Sequence, residues 1–106
     1  MPAYVVATMT IHDAETYRRY TARTPAIVAR HGGRFLTRGD PVTTLEGEPF
    51  GQRMVLLEFP DAATAQAFYD DPEYQQVSQF RRAGASGGRM ILQEGRGDTA
   101  APDPKL

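Results

Sequence analysis

The sequence predicts an α+β fold in which two helices cover one face of a four-stranded antiparallel sheet. One observation is the order of segments: four apolar stretches occur, and the first and third are followed by segments with helical periodicity. Another is the length of 106 residues with 41% hydrophobic content, which suits one globular domain. The chain has no cysteine, which excludes disulfides, thiol nucleophiles and Cys-based zinc sites.

The first two elements are a strand and an interrupted helix. Residues 4–10 are β-branched and apolar over the length of an average strand. Asp13 is expected to cap the helix that follows, because its carboxylate can accept hydrogen bonds from the free N–H groups of the first turn. Pro25 deletes one backbone hydrogen bond and should kink or split this helix. Two glycines at 32–33 should end it.

The middle of the chain predicts two further strands. Residues 34–38 form a short strand, and after a turn or bulge at residues 39–41 we expect residues 42–46 to continue extended. The third strand is predicted over residues 53–59, which are nearly all apolar apart from Glu58.

The second helical segment and a last strand complete the pattern. Asp61 is another expected N-cap, and Pro72 restarts the helix at a position where proline is tolerated. Glycines within residues 84–88 should end it, and residues 89–94 are predicted as the fourth strand. Residues 96–106 are small, polar and rich in proline, so we expect a disordered tail.

This element order is the ferredoxin-like βαββαβ plan, in one domain over residues 1–95. Right-handed crossovers place both helices on one face and the first and third strands at the centre. Both faces of the central strands are apolar, since Val5 and Val6 point to opposite sides. Because two helices cover only one face, we expect a homodimer that packs sheet against sheet into a dimeric α/β barrel.

The charge balance narrows the classes of partner. A formal charge of -1 provides no cationic field for nucleic acid and no polybasic patch for a membrane surface. Of the twelve basic residues all but Lys105 are arginine, so anion recognition would use the planar guanidinium fork. The chain begins without a positively charged leader, and no stretch approaches the ~20 apolar residues of a membrane span, so a cytoplasmic protein is expected.

Several short motifs spread over residues 3–95 carry a family resemblance. They are Tyr17-x-x-Tyr20, Pro25, Gly32-Gly33-Arg34-Phe35-Leu36-x-Arg38-Gly39, Leu45-Glu46-Gly47, Leu57-Glu58-Phe59-Pro60 and Tyr69-x-x-Pro72-x-Tyr74. Together they resemble the bacterial family of unknown function called DUF1330. The resemblance implies a dimeric α/β-barrel fold, shared with antibiotic-biosynthesis monooxygenases, EthD-like proteins and muconolactone isomerases. It implies no established activity, and we expect no cofactor.

Glu58 is the candidate acid or base, because it is a carboxylate in a strand otherwise made of Val, Leu and Phe. If its side chain faces an apolar interior, desolvation raises its pKa and suits it to proton transfer. The alternative is a structural ion pair with Arg34, Arg38 or Arg81, since buried charges normally persist only when paired.

Two arginines and two tyrosines are candidate ligand contacts. Arg38 or Arg81 could hold a substrate carboxylate through two parallel hydrogen bonds, although an edge-strand charge or an intersubunit salt bridge would also explain Arg38. By analogy with the related cofactor-free oxygenases, Tyr17 or Tyr74 could hydrogen-bond a phenolic ligand, and the alternative is packing in the core. The spacing of the two histidines does not favour a metal site, so none is expected.

These residues predict a cavity between the helices and the sheet that binds a small aromatic or carboxylated metabolite. Such a site could support cofactor-independent catalysis, with Glu58 as the acid or base. The competing hypothesis is a non-catalytic structural or accessory module in which the ionic residues serve the dimer interface. The sequence leaves the roles of Glu46 and His31 open, and it does not identify a substrate.

Overall fold

The computed structural model describes residues 1–96, 100 and 102. Within them it contains a four-stranded antiparallel sheet and four helices, which is the expected ferredoxin-like plan with each predicted helix divided in two. The elements are β1 (Ala3–Ile11), α1 (Ala14–Thr21), α2 (Thr24–Arg30), β2 (Arg34–Arg38), β3 (Arg53–Phe59), α3 (Ala62–Asp70), α4 (Pro72–Gly84) and β4 (Ala85–Glu94). Most of the predicted tail lies outside the described residues.

The strand order is β2-β3-β1-β4, so the first and third strands are central, as predicted. In the register of the sheet, Val5 lies opposite Leu57 on one side and Leu92 on the other. Alternate residues of β1 and β3 are buried and join residues of all four helices in a single hydrophobic core. The largest of its fully buried side chains are Tyr74, Phe59, Phe68, Ile27 and Val28.

Prolines and aspartates set the helix boundaries where the sequence predicts them. Pro25 lies in the first turn of α2, and the Thr24 hydroxyl donates to the Tyr20 carbonyl at 2.6 Å across the break. Asp13 accepts from the Thr16 amide and Asp61 from the Thr64 amide, which confirms both predicted N-caps. Pro72 begins α4, which explains why the preceding residue is extended and the helix restarts.

Two predicted strand boundaries are wrong. Residues 42–46 are not a strand, because the chain leaves the sheet edge at Gly39, whose φ is +75°, and runs through an irregular loop to β3. Leu45 in that loop is 91% exposed, so nothing in the described fold buries an extended continuation.

The fourth strand begins at Ala85, four residues earlier than predicted. Gly87 and Gly88 therefore belong to β4 rather than to the end of the helix. Gly88 lies directly against the Thr8 carbonyl, where a side chain would collide with backbone. Because glycine has no side chain, these residues permit the close approach of β4 to β1, whereas the sequence predicted that they end the helix.

The centre of the sheet face opposite the helices is apolar, and the face carries no helix within the described part of the chain. It presents half-buried Val6, Met54 and Leu56 from the central strands, and Ile91 of β4, which is 51% exposed. Among the described residues, no helix is both long and apolar enough to cross a bilayer.

Candidate functional site

A small cavity lies between the sheet and the helices α1, α2 and α3. Its volume is about 30 Å³, enough for one or two water molecules and far below the several hundred cubic ångströms of ordinary ligand pockets. The wall is mostly apolar. Its polar side chains are those of Tyr17, Tyr20, Thr21, Thr24, Arg38 and Arg53.

A larger depression adjoins this cavity at the surface. We call it the arginine vestibule, and it is formed by Ile11, Ala14, Tyr17, Arg18, Thr21, Arg38 and Arg53. Its volume is about 480 Å³, within the range of small-molecule sites. Four of its residues, including Arg38 and Arg53, also line the cavity, so the two spaces are neighbours.

One wall of the vestibule is helical and the other is the sheet. Helix α1 contributes residues 14, 17, 18 and 21, which follow the i, i+3, i+4, i+7 spacing of one helix face. Arg53 begins β3 opposite Met9, on the same side of the strand as Val55 and Leu57, and therefore extends toward the helix layer. Arg38 is the last residue of β2.

Aromatic rings support two of these guanidinium groups. The Arg38 guanidinium carbon lies 3.9 Å from the ring centroid of Phe35, and that of Arg53 lies 5.6 Å from the ring centroid of Tyr17. A guanidinium held over an aromatic ring keeps its in-plane N–H groups available to an anion. The Arg53 Nε is buried and has no hydrogen-bond partner among the residues described.

The described wall of the vestibule contains three arginines and no carboxylate. Within the described ranges, none of its three arginines takes part in an ion pair. Asp13 accepts from the side chain and backbone of Thr16, which lowers the pKa of Asp13 below its usual value. Asp40 accepts from the backbone amide of Arg38 at 2.8 Å.

The tyrosines differ in their access to the cavity. Tyr17 lines both spaces, and its hydroxyl lies 3.9 Å from the Met9 sulfur. Tyr74 is completely buried and does not line the cavity, and its hydroxyl lies 2.8 Å from that of Tyr20. Burial raises the pKa of Tyr20 well above its ordinary value and also raises that of Tyr74, so both hydroxyls are neutral at pH 7.

Arg81 lies at a second depression of about 460 Å³, whose wall also includes Arg82 and Arg89. Its guanidinium carbon is 5.8 Å from the ring centroid of Tyr20. Arg82 already takes part in a hydrogen bond within α4, because it donates to the Ser78 hydroxyl at 2.8 Å. The structure therefore separates Arg81 from Arg38, and the two do not share a site.

Glu58 lies outside the cavity in which sequence reasoning placed it. Its neighbours Leu57 and Phe59 face the helices, so the two-residue period of a strand directs Glu58 to the opposite face of the sheet. There its Oε1 accepts from the Arg34 Nε at 2.8 Å. The observed arrangement is the ion pair that the sequence offered as the alternative.

A further ionic cluster joins α2 to α4. The Asp71 Oδ2 lies 2.8 Å from the His31 Nε2 and 2.7 Å from the Arg30 Nη2, and these two partners hold the pKa of Asp71 well below its usual value. His31 is thus a contact between helices, away from the cavity wall. Glu46 is exposed in the loop that follows β2. No group of three potential metal ligands occurs in the described portion of the chain.

The sequence analysis did not name Arg53 or Tyr20 as candidate ligand contacts. Both carried a signal: Arg53 shares the two-residue period of Val55 and Leu57, and Tyr20 follows Tyr17 on the buried stripe of α1. Arg18 gave no comparable signal, because a surface arginine on a helix is ordinary. Its relation to β2 and β3 appears only in the folded chain.

Sheet order, antiparallel pairing and helices on one face define an α+β protein of the ferredoxin-like class. Residues 2–96 match the family described as domain of unknown function DUF1330, and the chain belongs to that family. A search among curated proteins finds no match.

Solved structures share this fold at low identity. A protein of unknown function, RPA0582 from Rhodopseudomonas palustris, is 21% identical with a TM-score of 0.73, over 89% of this chain and 82% of that one. A mutant of SnoaB, a cofactor-independent oxygenase from Streptomyces nogalater, is 20% identical with a TM-score of 0.64, over 94% and 98%. A dimeric ferredoxin-like protein of unknown function from Bacteroides fragilis is 10% identical with a TM-score of 0.53, over 89% and 96%.

Proposed function

We propose that this protein binds a small carboxylated metabolite at the arginine vestibule. Arg38 and Arg53 hold the carboxylate, and the apolar part of the ligand lies against Tyr17. The observation that carries the proposal is the pair of Arg38 and Arg53 guanidinium groups, which lie over the rings of Phe35 and Tyr17 in a depression whose described wall contains no carboxylate. The Arg53 Nε is in addition buried without a partner, as is that of Arg81 at the second depression. A buried N–H without an acceptor is costly, and an anion that accepts from this guanidinium would offset part of that cost.

Binding is better supported than catalysis. The titratable side chains lining the cavity and the vestibule, within the described residues, are tyrosines and arginines. A tyrosine whose pKa is raised by burial, such as Tyr20, is a poor source of phenolate at neutral pH. Glu58, the candidate base, is ion-paired to Arg34 on the opposite sheet face.

A second copy of the chain is proposed to cover the open sheet face. Val6, Leu56 and Ile91 would be buried there, and an apolar sheet face left in water is unfavourable. The ferredoxin-like protein from Bacteroides fragilis is described as dimeric, which supports self-association of this chain. The Arg34–Glu58 pair lies on this face and favours a role of those two residues in assembly rather than in ligand binding.

Isothermal titration calorimetry with butyrate, benzoate and succinate tests the proposed site. We expect at least one acid to bind, and Arg38→Gln and Arg53→Gln each to weaken it about tenfold, the usual value of one charge-assisted hydrogen bond. Arg19→Gln is the matched control, because Arg19 lies on α1 but over the ring of Phe80 and does not line the vestibule. Absence of binding by all three acids, or equal losses in the control, would contradict the proposal.

A further inference from the structure

The charges of the vestibule stand on two opposed walls. Arg38 and Arg53 extend from the sheet, whereas Arg18 belongs to α1, one residue after Tyr17 and three before Thr21. A single carboxylate bound by Arg38 and Arg53 would leave Arg18 without a bound anion. Three like charges around one depression also repel each other, so a ligand with charge at both ends offsets more of that repulsion.

The size of the cavity limits the apolar part of such a ligand. A volume of about 30 Å³ admits little more than a methyl group or a water molecule, and an aromatic ring needs the wall to move apart. Packed cores resist such widening. The bulk of the ligand therefore belongs in the vestibule, which has room for a short chain with polar ends.

On the basis of the proposed binding function, we infer that the ligand class is a short aliphatic dicarboxylate that bridges the two walls. One carboxylate accepts from Arg38 and Arg53, and the other accepts from Arg18. The aliphatic chain between them lies against Tyr17 and Ile11, the apolar part of the vestibule. Inorganic phosphate has its charge on one centre and lacks the second anionic group that this arrangement uses.

The test compares succinate with succinamate, which has nearly the same size and shape but a single charge. In titrations of the wild-type protein we expect succinate to bind at least about tenfold more tightly than succinamate, benzoate and phosphate. In Arg18→Gln the preference for succinate over succinamate should fall toward one. Arg19→Gln is the matched control, because Arg19 lies on the same helix but over the ring of Phe80.

Each result distinguishes this inference from the proposed function. Equal affinities for succinate and succinamate, with both weakened by Arg53→Gln, would overturn the dicarboxylate class and leave the binding site standing. Tighter binding of benzoate than of succinate would do the same, whereas tighter binding of phosphate would overturn the carboxylate site as well. If no acid binds, the proposed function fails, and the inference fails with it.

Discussion

Gly39 shows how one residue controls the vestibule. Its φ of +75° is a conformation that other residues adopt only with strain, and the position of its missing Cβ is occupied by the guanidinium of Arg53. The glycine thus ends β2 and leaves space for the arginine that the proposed ligand needs. Gly47 shares the positive φ, at +92°, but has open space around it.

Gly39 and Gly47 give a prediction in which the second glycine is the control for the first. Replacement by alanine at either position should cost about 1–2 kcal/mol of folding free energy, because both backbones are left-handed. Only Gly39→Ala should also displace Arg53 and weaken succinate binding, by about tenfold. Urea unfolding and calorimetry measure the two effects, and equal binding by the two variants would contradict the role assigned to Gly39.

Asp71 leads to a prediction about acid stability. Its His31 and Arg30 partners depress the folded-state pKa, so the carboxylate stabilises the fold at neutral pH and loses that contribution as the pH falls below about 5 toward the folded value. Asp71→Asn should lower the urea midpoint at pH 7 and flatten its dependence on acid pH. Glu48→Gln, at an exposed loop carboxylate, should leave the profile unchanged. A steep acid profile retained in Asp71→Asn would be inconsistent with this assignment.

The individual residues of the candidate site could be predicted only in part from the sequence. Tyr17 and Arg38 lie where a site between the helices and the sheet was expected. The position of Glu58 follows from strand alternation with Leu57 and Phe59. The sequence pattern therefore already places Glu58 on the sheet face away from the cavity. Arg18 and Arg53 line the same depression although their elements are far apart in the chain, and no local sequence pattern predicts this.

Among the elements, β4 depends on a backbone contact. Gly88 packs against the Thr8 carbonyl near the irregularity in the β1–β4 register, and a Cβ there would overlap the backbone. Gly88→Ala should therefore cost about 2–3 kcal/mol, typical of overpacking that shifts main chain. Gly51→Ala meets open space and should change stability by less than about 0.5 kcal/mol. Similar urea midpoints for the two variants would refute the contact's importance.

Elements with a strong chemical signal were predictable, and those set by tertiary contact were not. Proline at 25 and 72 and the capping aspartates mark the helices through missing or satisfied N–H groups, which are local effects. The early start of β4 depends on neighbouring β1, since glycines alone favour a turn. The loop after β2 contains β-branched residues, which favour a strand. It nevertheless lies beyond the last residue pair of β2 and β3, so it has no neighbouring strand to pair with.

On the scale of the whole molecule, the open sheet face predicts self-association. Leu56→Glu places a charge at the centre of that face, opposite Val6, and should shift the protein toward monomer. Leu45→Glu is the matched control because Leu45 is 91% exposed in the loop. Sedimentation velocity at micromolar concentration measures the change. A wild-type monomer, or identical behaviour of both variants, would count against the dimer.

The central claim is that one end of the molecule, where α1 meets β2 and β3, binds a small anion. Titration of ¹⁵N-labelled protein with succinate, followed by two-dimensional NMR, tests it most directly. We expect saturable shifts confined to the backbone amides and arginine side chains around Arg18, Arg38 and Arg53. Shifts centred instead on Arg81 and Arg89, or no saturable shift at all, would contradict it.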